Sequence, residues 1–132
     1  MPEIAGISHI DLTVTDIERS LPFYTDVLGF TAVARENRAD REMVVLRHPG
    51  LANSVCLNAH HQSHSSLFDE RSPGLDHLSF RVANRSELDA WLQQLEAHGV
   101  SHSAIADTPH GPVLVFRDPD NIQLELMAPP GS

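Results

Sequence analysis

The sequence predicts an α+β fold made of two similar halves in tandem, each running strand, helix, strand, strand, strand. Three observations carry that expectation. The alternating stretches "ISHIDLTV" and "LDHLSFRV" each lead into an amphipathic helical pattern, three shorter strand patterns follow each helix, and the polar segment "HQSHSSLFDERSPG" parts the halves. A chain of 132 residues with 41% hydrophobic content suits a single domain, with modules at about 5–61 and 74–130 and a linker at 62–73.

In "ISHIDLTV", Ile10, Leu12 and Val14 fall on one face and His9, Asp11 and Thr13 on the other, the period-two pattern of a half-buried strand. The following "TDIERSLPFYTDVLGF" offers a Thr15 to Glu18 capping box and places Ile17, Leu21, Tyr24 and Leu28 at helical spacing before Gly29. Pro22 interrupts a continuous helix, so the main helix is expected to begin at Ser20, with the proline in its first turn. "TAVARE", "EMVVLRH" and "NSVCLNAH" read as strands. In the second half, "NRSELDAWLQQLEAHGV" carries Leu88, Trp91, Leu92 and Leu95 as an apolar stripe, with Asn84 and Glu87 as cap and Gly99 as stop. Strands are then expected in "SHSAIAD", "GPVLVFR" and "NIQLELMA", with a turn at 118–121.

The charge balance narrows the function. A net charge of −9 repels nucleic acid and anionic lipid, and no basic run offsets it. All nine basic residues are arginine, which excludes lysine Schiff-base chemistry and lysine phosphate cradles. One cysteine makes no internal disulfide, "MPEIAGISHI" lacks a charged leader, and no apolar run approaches a membrane span, so a cytoplasmic location is expected.

The two halves keep register. His77 lies 68 residues after His9 (77 − 9), and the same offset relates Val14 to Val82 and Phe23 to Trp91. With one residue of slippage in the loops, "VCL" at 55–57 falls on "LEL" at 124–126, which equates Cys56 with Glu125. If the aliphatic neighbours pack on the helices, then His9, Cys56, His77 and Glu125 all face the other way. Should the outer strands of each half be adjacent and the halves meet edge to edge, the four converge. Two imidazoles and a carboxylate with open positions form a facial site for a divalent metal, Fe(II) favoured, with Mn, Zn or Ni as alternatives. A solitary strand histidine or glutamate is ordinarily solvated; the shared face and the repeat register raise the case for the three together.

On "ISHIDLTVTDIERSLPFYTDVLGF", "LDHLSFRV" and "FRDPDNIQLEL", the chain resembles the vicinal oxygen chelate superfamily, which includes glyoxalases, bleomycin-resistance proteins, fosfomycin-modifying enzymes and extradiol dioxygenases. The resemblance implies two βαβββ modules forming an open U-shaped, eight-stranded mixed sheet with helices on the outer face. It also implies a small-molecule substrate, metal ligands at His9, His77 and Glu125, and a homodimer whose subunits can share sites. Cys56 stands where glyoxalase I would place a second glutamate. Three ligands leave room for a chelated catechol beside dioxygen, as in the extradiol branch, but Tyr24, the sole tyrosine, lies on the first helix and reads as core. Lyase or isomerase chemistry and ring-cleaving dioxygenation both stay open. A lysine-free chain fits a phosphonate substrate poorly. A drug-binding protein of the bleomycin-resistance type, without catalysis, is the alternative, and an intact metal triad argues against it.

Around these ligands, His60 shares the inward parity of Cys56, and His60 or His110 is a candidate acid or base. His60, His61 and His64 together read as a solvated strand end. Arg81, four residues beyond His77 on its face, is a candidate clamp for a substrate carboxylate. Cys56 reads as a small buried residue lining the substrate side rather than as a thiolate. Asp118 and Asp120 sit beside Pro119 and read as turn residues.

Overall fold

The computed structural model describes residues 1–64 and 66–132, and the chain divides into two compact units, Met1–Ser65 and Ser66–Ser132. The first contains β1 (His9–Thr13), α1 (Ile17–Pro22) running into a π-helical turn (Phe23–Val27), β2 (Thr31–Asn37), β3 (Arg41–Arg47) and β4 (Ser54–His60). The second contains β5 (Leu78–Arg81), α2 (Arg85–Ala97), β6 (Ala106–Thr108), β7 (Gly111–Arg117) and β8 (Gln123–Met127). These are the tandem βαβββ modules of an α+β fold, and the eight strands are distributed as two four-stranded mixed sheets, β1-β4-β3-β2 and β5-β8-β7-β6.

The repeat extends to strand register. β1 runs parallel to β4 with Asp11 opposite Cys56, and β5 runs parallel to β8 with Ser79 opposite Glu125. In each unit the first and last strands are therefore neighbours, and Cys56 and Glu125 hold equivalent places. Alternation along the strands does the sorting. Leu12, Val44, Leu46, Val55 and Leu57 point into the core of the first unit, beneath Ile17, Tyr24, Val27 and Leu28 of the helical segment. Leu114, Phe116, Leu124 and Leu126 do the same in the second, where α2 packs on β7 and adds Leu88 and Leu95. Trp91 and Leu92 complete the stripe half-buried.

The first helix departs from expectation. Asp16, not Thr15, is its cap, accepting from the Glu18 N–H at 2.9 Å, and the helix begins at Ile17 with Pro22 as its last residue rather than in its first turn. Pro22 has no N–H to extend the ladder, and beyond it the turn widens, the Leu28 N–H reaching the Phe23 carbonyl at 3.3 Å. That turn buries Tyr24 completely, edge-on to Phe23 and Phe30. α2 follows its sequence signals: Asn84 Oδ1 accepts from the Glu87 N–H at 3.1 Å, and Gly99 adopts φ +65° as the Val100 N–H closes on the Leu95 carbonyl. The stretch "SHSAIAD" gives only the short β6, preceded by an isolated bridge from His102 to Phe116.

The segment read as a linker is tied down in its second half. The Phe68 N–H donates to the Asp120 carbonyl at 2.8 Å, and Asn121 Nδ2 donates to the Phe68 carbonyl at 3.0 Å. The turn that receives it is internally braced, because Asp118 Oδ1 accepts from the N–H groups of Asp120 and Ile122, each at 2.8 Å. Asp118 and Asp120 are thus turn residues, as their sequence context suggests. Among the described residues no helix is long and apolar enough to cross a membrane.

Candidate functional site

Glu125 occupies the middle of β8, between Ser79 of β5 and Val115 of β7. Leu124 and Leu126 bury themselves on the helix side, so the pleat sends Glu125 to the opposite face, where its side chain is 15% exposed. His77 precedes β5 by one residue and shares that face by alternation. The two side chains meet, with His77 Nε2 3.4 Å from Glu125 Oε1.

A second contact fixes the imidazole from behind. His77 Nδ1 lies 2.7 Å from Asp76 Oδ1. A carboxylate only accepts, so the hydrogen sits on Nδ1, and in the neutral ring Nε2 presents a lone pair to the Glu125 oxygen. Two acceptors facing each other repel unless a proton or a metal ion lies between them. Two donors bound to one ion at about 2.1 Å and at an angle of 90–110° stand roughly 3.0–3.4 Å apart, which matches the observed separation. The pair therefore fits a divalent cation, and Asp76 supplies the outer carboxylate that orients a metal-binding histidine. Asp76 is itself held by Gln123 Nε2 at 2.9 Å. Gln123 Oε1 accepts from Arg117 Nη2 at 3.1 Å, and Arg117 is gripped by Glu70. His77 and Glu125 stand out in the sequence as candidate ligands, whereas Asp76, Gln123, Arg117 and Glu70 do not. The only local signal was the acid immediately before His77.

The first unit arranges the matching face differently. His9 opens β1 with its side chain 60% exposed, Nδ1 lying 2.9 Å from Ser8 Oγ and Nε2 3.8 Å from Asp11 Oδ1. Cys56 stands beside Asp11, buried, and its thiol pKa is pushed up to about 11 by burial first and by the Asp11 carboxylate second. It is a thiol at neutral pH. Asn58 bridges the polar face, donating to Asp11 Oδ2 at 3.0 Å and accepting from Arg41 Nε at 2.9 Å.

The remaining candidates lie on other elements of each unit. His60 ends β4 across from Arg41, exposed. His61 is drawn to the Arg38 carbonyl through its ring, and His64 is exposed. His110 sits in the β6–β7 turn, its N–H on Thr108 Oγ1 at 3.2 Å. It is five strand positions from Val115, the neighbour of Glu125 (115 − 110), on the order of 15 Å along β7, so the structure does not bring it to the His77–Glu125 pair. Arg81 ends β5 exposed, on the face of Ser79 and Glu125. The other arginines all have polar partners: Arg19 has Thr15, Arg35 has Glu18 and Glu42, Arg38 has Glu36, Arg41 has Asp40, Arg47 has Ser54, Arg71 has Asp69, Arg85 has Asp107 and Arg117 has Glu70. Arg81 has none among the described residues. Nor do those residues contain a group of three or more His, Cys, Asp or Glu side chains able to hold a metal ion; within the second unit, His77 and Glu125 meet as a pair.

Residues 6–126 match the Glyoxalase/Bleomycin resistance protein/Dioxygenase superfamily, and the chain belongs to that family. It is 30% identical over 123 residues to the putative ring-cleaving dioxygenase MhqA of Bacillus subtilis (strain 168), covering 92% of this chain and 39% of the relative. It is 26% identical over 128 residues to the metapyrocatechase of Geobacillus stearothermophilus, covering 94% of this chain and 35% of the relative. The chain thus spans well under half the length of these two relatives. A crystal structure of a glyoxylase/bleomycin resistance protein/dioxygenase domain from Frankia sp. EAN1pec superposes with a TM-score of 0.89 at 36% identity, covering 96% of this chain and 99% of that one.

Proposed function

We propose that the chain is a metal-dependent enzyme in which a divalent ion, Fe(II) in the favoured case, is held by His77 and Glu125 with His9 as third ligand, and that its reaction is ring-cleaving dioxygenation of a catechol-like small molecule. The observation that carries the proposal is the 3.4 Å approach of His77 Nε2 to Glu125 Oε1, with Nδ1 2.7 Å from Asp76 Oδ1. The similarity to a protein named as a putative ring-cleaving dioxygenase favours dioxygenation over the lyase or isomerase chemistries of the same family. When bound, the ion supplies Lewis acidity toward two neighbouring substrate oxygens and a place for dioxygen.

The protein's own side chains do the rest. His77 and Glu125 place one neutral and one anionic donor at the cation, so a dianionic chelating substrate is not repelled by an excess of protein charge. Val115, across from Glu125 on β7, walls the same face with an apolar surface that suits a flat ring. Arg81, unpaired and on that face, meets a carboxylate on the substrate. Cys56, protonated, lines rather than ligates.

The test is to purify the protein without chelators, reconstitute it anaerobically with Fe(II), and follow catechol cleavage by absorbance after admitting air. The proposal requires about one Fe(II) per chain, oxygen-dependent ring opening, and loss of both in His77→Ala. Stoichiometric Fe(II) that survives His77→Ala would overturn it.

A further inference from the structure

Asp76, Gln123, Arg117 and Glu70 lie outside any role the family assignment gives them, yet they form one continuous chain of directed hydrogen bonds behind His77. Glu70 accepts from Arg117 twice, Nη1 to Oε2 at 2.9 Å and Nη2 to Oε1 at 2.8 Å. Arg117 Nη2 also donates to Gln123 Oε1 at 3.1 Å, Gln123 Nε2 donates to Asp76 Oδ1 at 2.9 Å, and the same Oδ1 accepts from His77 Nδ1 at 2.7 Å.

The polarity of this chain is forced at every link. Arginine only donates and a carboxylate only accepts, so the one ambivalent member, the Gln123 amide, is locked with its oxygen toward Arg117 and its nitrogen toward Asp76. Asp76 is then held at a fixed point, and it dictates both the ring plane of His77 and the nitrogen that carries hydrogen. Asp76 is mostly exposed, its side chain 64% accessible, and Gln123 Nε2 is the donor that braces it from the side opposite His77. Glu70 comes from the stretch before β5, which is pinned at Phe68 to the 118–121 turn, so the relay begins in a segment whose composition reads as a linker.

We infer that Glu70, Arg117, Gln123 and Asp76 are positioning residues that preset the His77 imidazole, as the Nδ1–H tautomer with Nε2 aimed at Glu125, before any ion arrives. The inference rests on the proposed role of His77 as a ligand. Its consequence is that metal affinity is governed by side chains up to four hydrogen bonds away from His77, including one on the connecting segment.

The decisive variant is Gln123→Glu. It has the shape of glutamine and keeps an oxygen toward Arg117, but it turns an acceptor toward Asp76 and breaks the relay in the middle. If residue 123 acted only through charge, an added carboxylate near the cation would tighten metal binding; the relay demands the opposite sign. Anaerobic calorimetry with Fe(II) alone should show Asp76→Ala binding about 10–100-fold more weakly than the parent protein, and Gln123→Glu weaker as well. In the metal-free protein, ¹⁵N spectra of labelled histidine should show His77 as the Nδ1–H tautomer, reverting to a free-imidazole mixture in Asp76→Ala.

Fe(II) binding by Gln123→Glu as tight as the parent, or a His77 tautomer unchanged in Asp76→Ala, would overturn the relay. The ligand reading fails separately: if His77→Ala binds Fe(II) like the parent, His77 is no ligand, and the ¹⁵N spectra alone then judge whether Asp76 presets its ring.

Discussion

Arg117 and Glu70 are joined by two parallel hydrogen bonds of 2.9 and 2.8 Å, fastening the segment ahead of β5 to the strand beside the Glu125 strand. The arginine holds the Glu70 carboxyl at about 2, well below its ordinary 4.5. A carboxyl whose pKa is depressed on folding contributes stability that is fully present above 4.5 and disappears as pH falls through about 2. Glu70→Gln should therefore lower the urea midpoint by a constant amount at neutral pH, and the gap between the two proteins should close between pH 4.5 and 2. A gap of equal size at pH 2 and pH 7 would show that the ion pair contributes nothing through its charge.

Cys56 lends itself to a direct chemical test. With its pKa at about 11, roughly one thiol in ten thousand is ionised at pH 7. Ellman's reagent should label the native chain far more slowly than the urea-unfolded one, and Cys56→Ala should keep the parent Fe(II) stoichiometry. Loss of half or more of the metal in that variant would mean that sulfur is a ligand.

The fold was legible because its signals are local: period-two alternation set the faces of β1, β5, β7 and β8, and Asn84 and Gly99 marked the ends of α2. The repeat register was legible too, since an offset of 68 needs no tertiary knowledge, and with one residue of slippage in the loops it equated Cys56 with Glu125 in advance of the Asp11–Cys56 and Ser79–Glu125 pairings. The start of α1 was not, because Thr15 and Asp16 are both good caps and only the path of the chain out of β1 decides between them. The support behind His77 was hidden for a deeper reason. Glu70 and Arg117 are 47 residues apart, as are Asp76 and Gln123 (117 − 70 and 123 − 76), and in sequence each is an ordinary surface side chain. Only the folded chain brings them together, through the β5–β8 and β7–β8 pairings and the docking of the Phe68 segment on the 118–121 turn.

Gly111 begins β7 at φ +125°, and a Cβ there would collide with the Ala128 carbonyl oxygen at the end of β8. Gly111→Ala combines a backbone region closed to L side chains with a backbone clash, so it should destabilise the protein by about 1–3 kcal/mol. Ser101→Ala, on an exposed connector, serves as the control. Equal denaturation midpoints for the two would show that the β7–β8 junction yields without strain.

Arg81 predicts substrate selectivity. Removing a guanidinium that pairs with a ligand carboxylate forfeits a charge-assisted hydrogen bond, about tenfold or more in kcat/KM. Arg81→Ala should thus lose activity toward a catechol bearing a ring carboxylate while retaining it toward unsubstituted catechol. An equal loss on both substrates would assign Arg81 to the fold or to the ion rather than to the substrate.

His9 and His77 belong to different units, so the source of the third ligand is open to a mixing experiment. In a homodimer whose sites draw His9 from one chain and His77 from the other, a heterodimer of His9→Ala and His77→Ala carries one site with every ligand and one with neither histidine. Random exchange makes half of the dimers mixed, so about one quarter of parent activity and Fe(II) content should return when the two inactive variants are unfolded and refolded together. If each site draws both histidines from the same chain, every site in the mixture lacks one of them and nothing returns. Sedimentation of the mixture confirms that dimers formed, and a recovery near one quarter would assign His9 to the partner's site; a dimeric mixture that stays inactive would place it in the site of its own chain.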